Sequence, residues 1–259
     1  MVAIFSDKKS FIFRAVREMY TDVATQPGKA FHFPTGRLAC LFVGYPAALL
    51  DRIPAAATAS FAGVGYPFAA EVIRPGETVL DIGSGAGTDT LIASLLVGEQ
   101  GTAVGLDMTP AMRARLQANG RALGAANLRV VGGNAEEIPL PDASVDVVTS
   151  NGVLNLVPDK PRAFAEVARV LKRGGKVQIA DIALGSPVSD AARLDPKLWA
   201  ECIVGAVLEG QYLAGLQEAG LDVEIISRLD YFAGSDSDST RRVAHGLGAH
   251  SLVLRGRKQ

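Results

Sequence analysis

Asp81 sits in the apolar run Val79-Leu80-Asp81-Ile82, which leads straight into Gly83-Ser84-Gly85-Ala86-Gly87. Glycine carries no Cβ and tolerates the φ values of a tight strand-to-helix turn, so a backbone of this kind can come close to a ligand. Asp107 follows twenty residues after Gly87, where a carboxylate at the end of a second strand can accept both hydroxyls of a ribose. A dinucleotide enzyme would seat a pyrophosphate on the helix N-terminus, and usually reads Gly-x-Gly-x-x-Gly. Here the third glycine comes one position early and Asp81 precedes the turn. An acid at that place repels pyrophosphate and attracts an ammonium group. Taken alone, Asp81 also fits a cap on the strand end.

Other reactive groups are few. Cys40 and Cys202 are the two cysteines. They cannot build a disulfide framework or a four-ligand zinc site, and read as reduced thiols in a cytosolic protein. Either could contact a substrate, although a free cysteine is commonly a small buried hydrophobe. The candidates for a general base are His32, His245 and His250. His32, between Phe31 and Phe33, either faces a pocket or is packed; His245 and His250 lie near the last strand and read as structural. No Cys–His pair and no metal-ligand cluster is visible, so no metal is expected.

The elements that must position these groups follow from periodicity. A helix over about Lys9–Ala24 precedes a stretch to Pro67 punctuated by Gly and Pro, which reads as a cap. From Glu77 the pattern becomes regular, with strand Thr78–Ile82, helix Thr88–Val97 and strand Thr102–Asp107. Thr109 as N-cap and Pro110 as first helical residue open a helix ending near Gly124, followed by strands Leu128–Gly132 and Val145–Thr149. Asp159 caps a helix running to Lys172, and Gly174 and Gly175 turn the chain into strand Lys176–Ile182. Beyond it the sequence predicts helices around Asp195–Val207 and Gly210–Ala219 and strands Asp222–Arg228 and His250–Arg255. The Gly234–Thr240 run is poor in apolar residues and reads as a surface loop. Strands alternating with helices imply an α/β fold with a doubly wound parallel sheet. One domain over 1–259 is expected, with a cap (1–68), a cofactor-binding core (69–184) and a substrate cover with the last strands (185–259).

Composition narrows the partners. The 259 residues carry 26 basic and 27 acidic side chains, a net charge of −1, and so lack the basic excess that nucleic-acid phosphates require. An apolar content of 48% excludes disorder. The uncharged stretch Leu38–Leu50 has thirteen residues, short of the roughly 20 that span a bilayer, and Met1–Phe13 has no secretory pattern. A cytoplasmic protein acting on a small, uncharged or weakly charged molecule is expected, with no nucleic-acid or membrane partner. Oligomeric state is left open.

Strand, glycine turn and second-strand acid together resemble the class I S-adenosylmethionine-dependent methyltransferases, whose cofactor has an amino-acid tail in place of phosphates. The resemblance implies a Rossmann-like seven-stranded sheet with an N-terminal helical cap, and S-adenosyl-L-methionine as cofactor. It places Asp81, Gly83, Ser84 and Gly85 against the methionyl end, Asp107 on the ribose, and Asn134, Ala135 and Glu136 at the adenine. Thr88, Met108 and Asn151 complete the implied cofactor set. The Asn134 amide oxygen would accept from the adenine amino group while a backbone N–H reaches a ring nitrogen.

Longer segments are similar to the arsenite S-adenosylmethionine methyltransferases: Val16-Arg17-Glu18-Met19-Tyr20, Gly63-Val64-Gly65-Tyr66-Pro67, Ser150 to Lys160, and Asp195 to Cys202. That family holds trivalent arsenic on cysteine thiolates. Gly152 stands where its Ser-Asn-Cys segment has a thiol, and Val64 where its Gly-Cys-Gly step has another. Cys202 keeps a third, and Cys40 falls near an early one. Trivalent arsenic is soft and wants two or three thiolates. The resemblance thus implies methyl transfer to a small soft nucleophile, either a thiol or sulfide, or a trivalent arsenical bound in an altered way. An O- or N-methyltransferase of a small metabolite is the alternative, and a non-catalytic cofactor-binding sensor a more distant one. The candidates for substrate contact are Cys202, Cys40, Asn151, Tyr20 and His32. Tyr20 would fold over the sulfonium, because its helix resembles the lid of these relatives, or else anchor the core.

Overall fold

The computed structural model describes residues 6–26, 28–29, 31–188, 203–235 and 237–259. One long helix and three short ones build the cap: α1 (Ser6–Thr25), then α2 (Gly36–Phe42), α3 (Ala47–Leu50) and α4 (Ala55–Thr58). They precede a seven-stranded sheet of β1 (Thr78–Ile82), β2 (Thr102–Asp107), β3 (Leu128–Gly132), β4 (Val145–Asn151), β5 (Leu171–Ala183), β6 (Leu221–Leu229) and β7 (His250–Lys258). The strands lie in the order β3-β2-β1-β4-β5-β7-β6. β3, β2, β1, β4 and β5 pair in parallel, whereas β7 runs antiparallel to both of its neighbours.

Parallel strands are covered on both faces and so read as continuous apolar runs. In β1, Val79 faces one layer, packed with Leu91 and Ile92 of α5 (Thr88–Val97), while Leu80 and Ile82 face the other, packed with Phe164 of α7 (Lys160–Val170). The same two-residue period places Asp81 on the α5 side. α6 (Pro110–Leu123) follows β2, and α8 (Glu209–Glu218) packs against α7 through Tyr212 and Phe164. The chain order reverses between β2-β1 and β4, so a crevice opens beyond the carboxyl ends of β1 and β4, where ligands of such sheets bind.

The cap closes this crevice in two ways. Leu50, Phe61, Val64 and Phe68 continue the hydrophobic cluster of Val79 and Leu91. α1 instead spans the opening, with Ile12 and Val16 against Leu156, and Val23 and Ala24 against Ala86 and Met112. Its Lys9 ammonium forms an ion pair with Glu136.

Several expected boundaries move. The helix after Asp159 does begin with that side chain accepting from the Arg162 N–H at 3.2 Å. It stops at Val170, not Lys172, because buried Leu171 already pairs with Val145 in the sheet. The Gly234–Thr240 run is not a plain surface loop: Ser237 accepts from the Thr240 N–H and opens α9 (Asp238–Leu247). Of the helix expected over Asp195–Val207, residues 195–202 lie outside the described residues, and Ile203–Val207 is turn and irregular chain. No helix among the described residues is long and apolar enough to cross a membrane.

Candidate active site

The turn after β1 consumes most of its own donors. The Gly83 and Ser84 N–H groups both donate to the Leu106 carbonyl of β2, at 2.8 and 3.0 Å, and the Gly87 N–H donates to the Ser84 carbonyl. The Gly85 N–H donates to Asp107 Oδ2 at 2.9 Å, and the Thr109 N–H to its Oδ1 at 2.7 Å. A pyrophosphate needs such N–H groups pointing outward. Here they are spent on holding β1 and β2 together. Gly85 adopts φ +52°, and a Cβ there would meet nothing nearer than Met112 Sδ at 4.0 Å, so the turn leaves open space on its outer side.

That space belongs to a cavity of about 970 Å3, counted with its open mouth, over the ends of β1, β2 and β4. Three carboxylates line it, Asp81, Asp89 and Asp107, only 2, 6 and 9% exposed. Asp81 accepts from the Thr90 hydroxyl at 2.5 Å, and its pKa stands well above the carboxylate range because of burial and the neighbouring Asp89 charge. Burial pushes Asp89 up to about 6, against hydrogen bonds from Tyr45 and Asn151. Burial also raises Asp107, while the Thr109 and Gly85 N–H groups hold it down. Among the described residues neither Asp81 nor Asp89 has an ion-pair partner. Buried like charges without a counter-ion are costly, and a cationic ligand offsets that cost.

The remaining candidates divide by position. Gly83, Ser84, Thr88, Met108, Asn134, Ala135, Asn151 and Tyr20 line the cavity with the carboxylates. The Thr88 hydroxyl donates to the Ala57 carbonyl and so ties the turn to α4. Asn134 Oδ1 accepts from the Glu136 N–H at 2.8 Å, which leaves one lone pair for an incoming donor. Glu136 does not line the cavity; its carboxylate accepts the Asp159 N–H at 2.9 Å and pairs with Lys9. His32 does not line it either: its ring packs edge-on to Phe33, and burial lowers its pKa. Cys40 is fully buried behind the wall, its thiol pushed up by burial and the Asp89 charge, so it is not placed to touch a ligand. His250 bonds Glu209 at 2.9 Å, far along the sheet. Cys202 lies outside the described residues. Asp89 and Tyr45 were missed from sequence, since only folding brings them to Asn151.

Where the wall meets the cap, Gly152 adopts φ +71° and a Cβ on it would come within 3.2 Å of Val64 Cγ1. The two positions that lack the thiols expected from the arsenite pattern are therefore neighbours.

Residues 73–220, more than half of the chain, match the family described as a methyltransferase domain. The chain belongs to that family. It is 40% identical over 195 residues to the arsenite methyltransferase of Halobacterium salinarum, covering 74% of this chain and 50% of that one. It is 38% identical over 181 residues to the ubiquinone/menaquinone biosynthesis C-methyltransferase UbiE of Vibrio campbellii, covering 68% and 60%. A solved arsenic(III) S-adenosylmethionine methyltransferase from Chlamydomonas reinhardtii superposes with a TM-score of 0.60 at 27% identity, over 86% of this chain and 73% of that one. The chain spans about half the length, or less, of the curated arsenite methyltransferases it matches.

The fold is that of the class I methyltransferases, and the family with its solved relative implies S-adenosylmethionine as cofactor. The residues of this methyltransferase domain fit it. Among the described residues Asp81 and Asp89 have no ion-pair partner, so the cofactor's ammonium can pair with Asp81 while its sulfonium lies in the field of Asp89; its ribose hydroxyls can donate to Asp107, and its adenine can meet Asn134 and Ala135.

Proposed function

We propose that this methyltransferase domain methylates a small soft nucleophile, a thiol or sulfide, or an arsenical that arrives already carrying its own thiolates. The observation that supports the reading is that Gly152 of the cavity wall and Val64 just behind it, close enough that a Cβ on Gly152 would come within 3.2 Å of Val64 Cγ1, together offer no thiol. A substrate that brings its own sulfur needs no protein thiolate. Bound S-adenosylmethionine supplies a methyl group on an activated sulfonium leaving group. The chain then has to align the acceptor with the S–CH3 bond and keep water out. Phe61, Ala62, Gly63, Val153 and Leu156 give the wall its apolar character, and Phe13, Val16 and Tyr20 of α1 cover the opening.

The relatives named above keep two other readings in view, arsenite itself and a carbon acceptor. Against arsenite stands the wall: Cys40 is behind it, and the backbone at Gly152 is left-handed, where any β-carbon is strained. The test is an acceptor panel of sulfide, alkyl thiols, arsenite, phenols and amines with methyl-labelled S-adenosylmethionine, products identified by mass. Methyl sulfides are expected. Methylated phenol or amine with silent thiols contradicts the reading.

A further inference from the structure

Asp89 differs from Asp81 in what surrounds it. Its Oδ1 accepts the Tyr45 hydroxyl of the cap, and its Oδ2 accepts the Asn151 amide N–H at 3.0 Å from the end of β4. Asn151 donates also to Tyr45 Oη and the Gly65 carbonyl, each at 3.0 Å. Its Oδ1 accepts from the Val64 N–H at 2.7 Å and the Gly65 N–H at 3.2 Å. The carboxylate is thereby fixed to the cap segment that carries Val64 and to the strand end that precedes Gly152. Asp81 turns the other way, to Thr90 of α5. Each Asp89 oxygen keeps a second lone pair, and the residue lines the cavity.

We propose that Asp89 takes the proton of the methyl acceptor, and that Tyr45 and Asn151 are positioning residues holding its carboxylate beside the cavity wall at Gly152. The assignment rests on the soft-nucleophile reading in making that acceptor a thiol. Thiolate is the nucleophile, and an ordinary thiol of pKa about 8.5 is mostly protonated at neutral pH. An apolar site raises it further, as burial does to the Cys40 thiol in this fold. The acceptor S–H bond breaks and its proton passes to an Asp89 oxygen. The new S–CH3 bond forms as the sulfonium C–S bond breaks, and that electron pair returns to the cofactor sulfur. An arsenic lone pair carries no proton and would leave Asp89 idle.

Among the described residues, Asp81 from β1 and Tyr45, Tyr66 and Cys40 from the cap are the titratable groups that face Asp89. Among the described residues it has no ion pair. Its pKa of about 6 makes it ionised at neutral pH, and a bound sulfonium lowers it further, so turnover should rise with pH to a plateau above about 6.

The test uses Asp89→Asn and Tyr45→Phe in the full chain. Affinity of Asp89→Asn for S-adenosylhomocysteine, read by calorimetry, should stay within about threefold of the wild type; a loss of about tenfold or more would assign Asp89 to the cofactor ammonium and overturn the proposal. At saturating cofactor its kcat should fall about a hundredfold or more, and the acidic limb of the pH profile should vanish. Tyr45→Phe removes a bond to the ionised carboxylate, so its limb should move to higher pH; a limb that stays in place means a merely structural network. A wild-type protein that methylates arsenite and no proton-bearing acceptor also overturns the proposal. One that methylates a phenol in place of thiols ends the soft-nucleophile reading, while the same limb still decides on Asp89.

Discussion

At Asp107 one carboxylate accepts two backbone N–H groups and still presents lone pairs to the cavity. Asp107→Ala should therefore weaken S-adenosylmethionine binding by about 1–3 kcal/mol, since ribose hydroxyls lose a charged acceptor in a buried site. Titration calorimetry reads this, and unchanged affinity would remove Asp107 from the ribose position. Residues such as Asp81, Gly85 and Asp107 were legible in the sequence because their meaning lies in a short local pattern. Asp89 stands two residues past that pattern and was passed over. Its partners Tyr45 and Asn151 are 44 and 62 positions away, and only the cap folding onto β4 shows what it does.

Among the elements, α1 is the cover of the cavity, through Phe13, Val16 and Tyr20. Its apolar face reaches Leu156 on one side of the opening and Met112 on the other, while Lys9 pins it to buried Glu136. Lys9→Ala strands that carboxylate with the Asp159 N–H alone. Lys9 is a quarter exposed, so the cost should be about 1–2 kcal/mol, below that of a fully buried pair. Faster cofactor release in stopped-flow, with the fold intact by circular dichroism, would bear this out; an unchanged off-rate would show that the apolar contacts alone close the lid. The sheet strands were readable as apolar runs between turn signals. α9 was not, because only Ala244 of its residues is buried and its cap, Ser237, sits in a Gly-Ser-Asp run that looks like a loop. The stop of α7 at Val170 was equally hidden, being set by the pairing of Leu171 with Val145 across the sheet.

For the whole molecule the buried carboxylates set a pH dependence. Burial raises Asp89 to about 6 and Asp181 to about 7, from an ordinary 3.8. The folded state thus holds these protons more tightly than the unfolded chain, and the stability they contribute is lost as pH rises through 6 and 7. His32, lowered by burial, acts in the opposite sense below its ordinary 6.5, and Glu209 and Glu166, both lowered, matter only in acid. Between pH 6.5 and 8 the cofactor-free protein should therefore show a falling urea midpoint. A flat or rising one would contradict the raised values of Asp181 and Asp89. Binding the cationic cofactor should release protons near pH 6, seen as a dependence of the calorimetric heat on buffer ionisation enthalpy.

On the proposed reading the acceptor, not the protein, is the source of sulfur, because neither Val64 nor its neighbour Gly152 carries a thiol. A single reaction tests this most directly: wild-type protein, methyl-labelled S-adenosylmethionine and arsenite, first without any thiol and then with an alkyl thiol added, the products identified by mass spectrometry. No methylated arsenical should form in the thiol-free mixture, and a methyl sulfide should form once thiol is present. Methylated arsenic from arsenite alone would contradict the account.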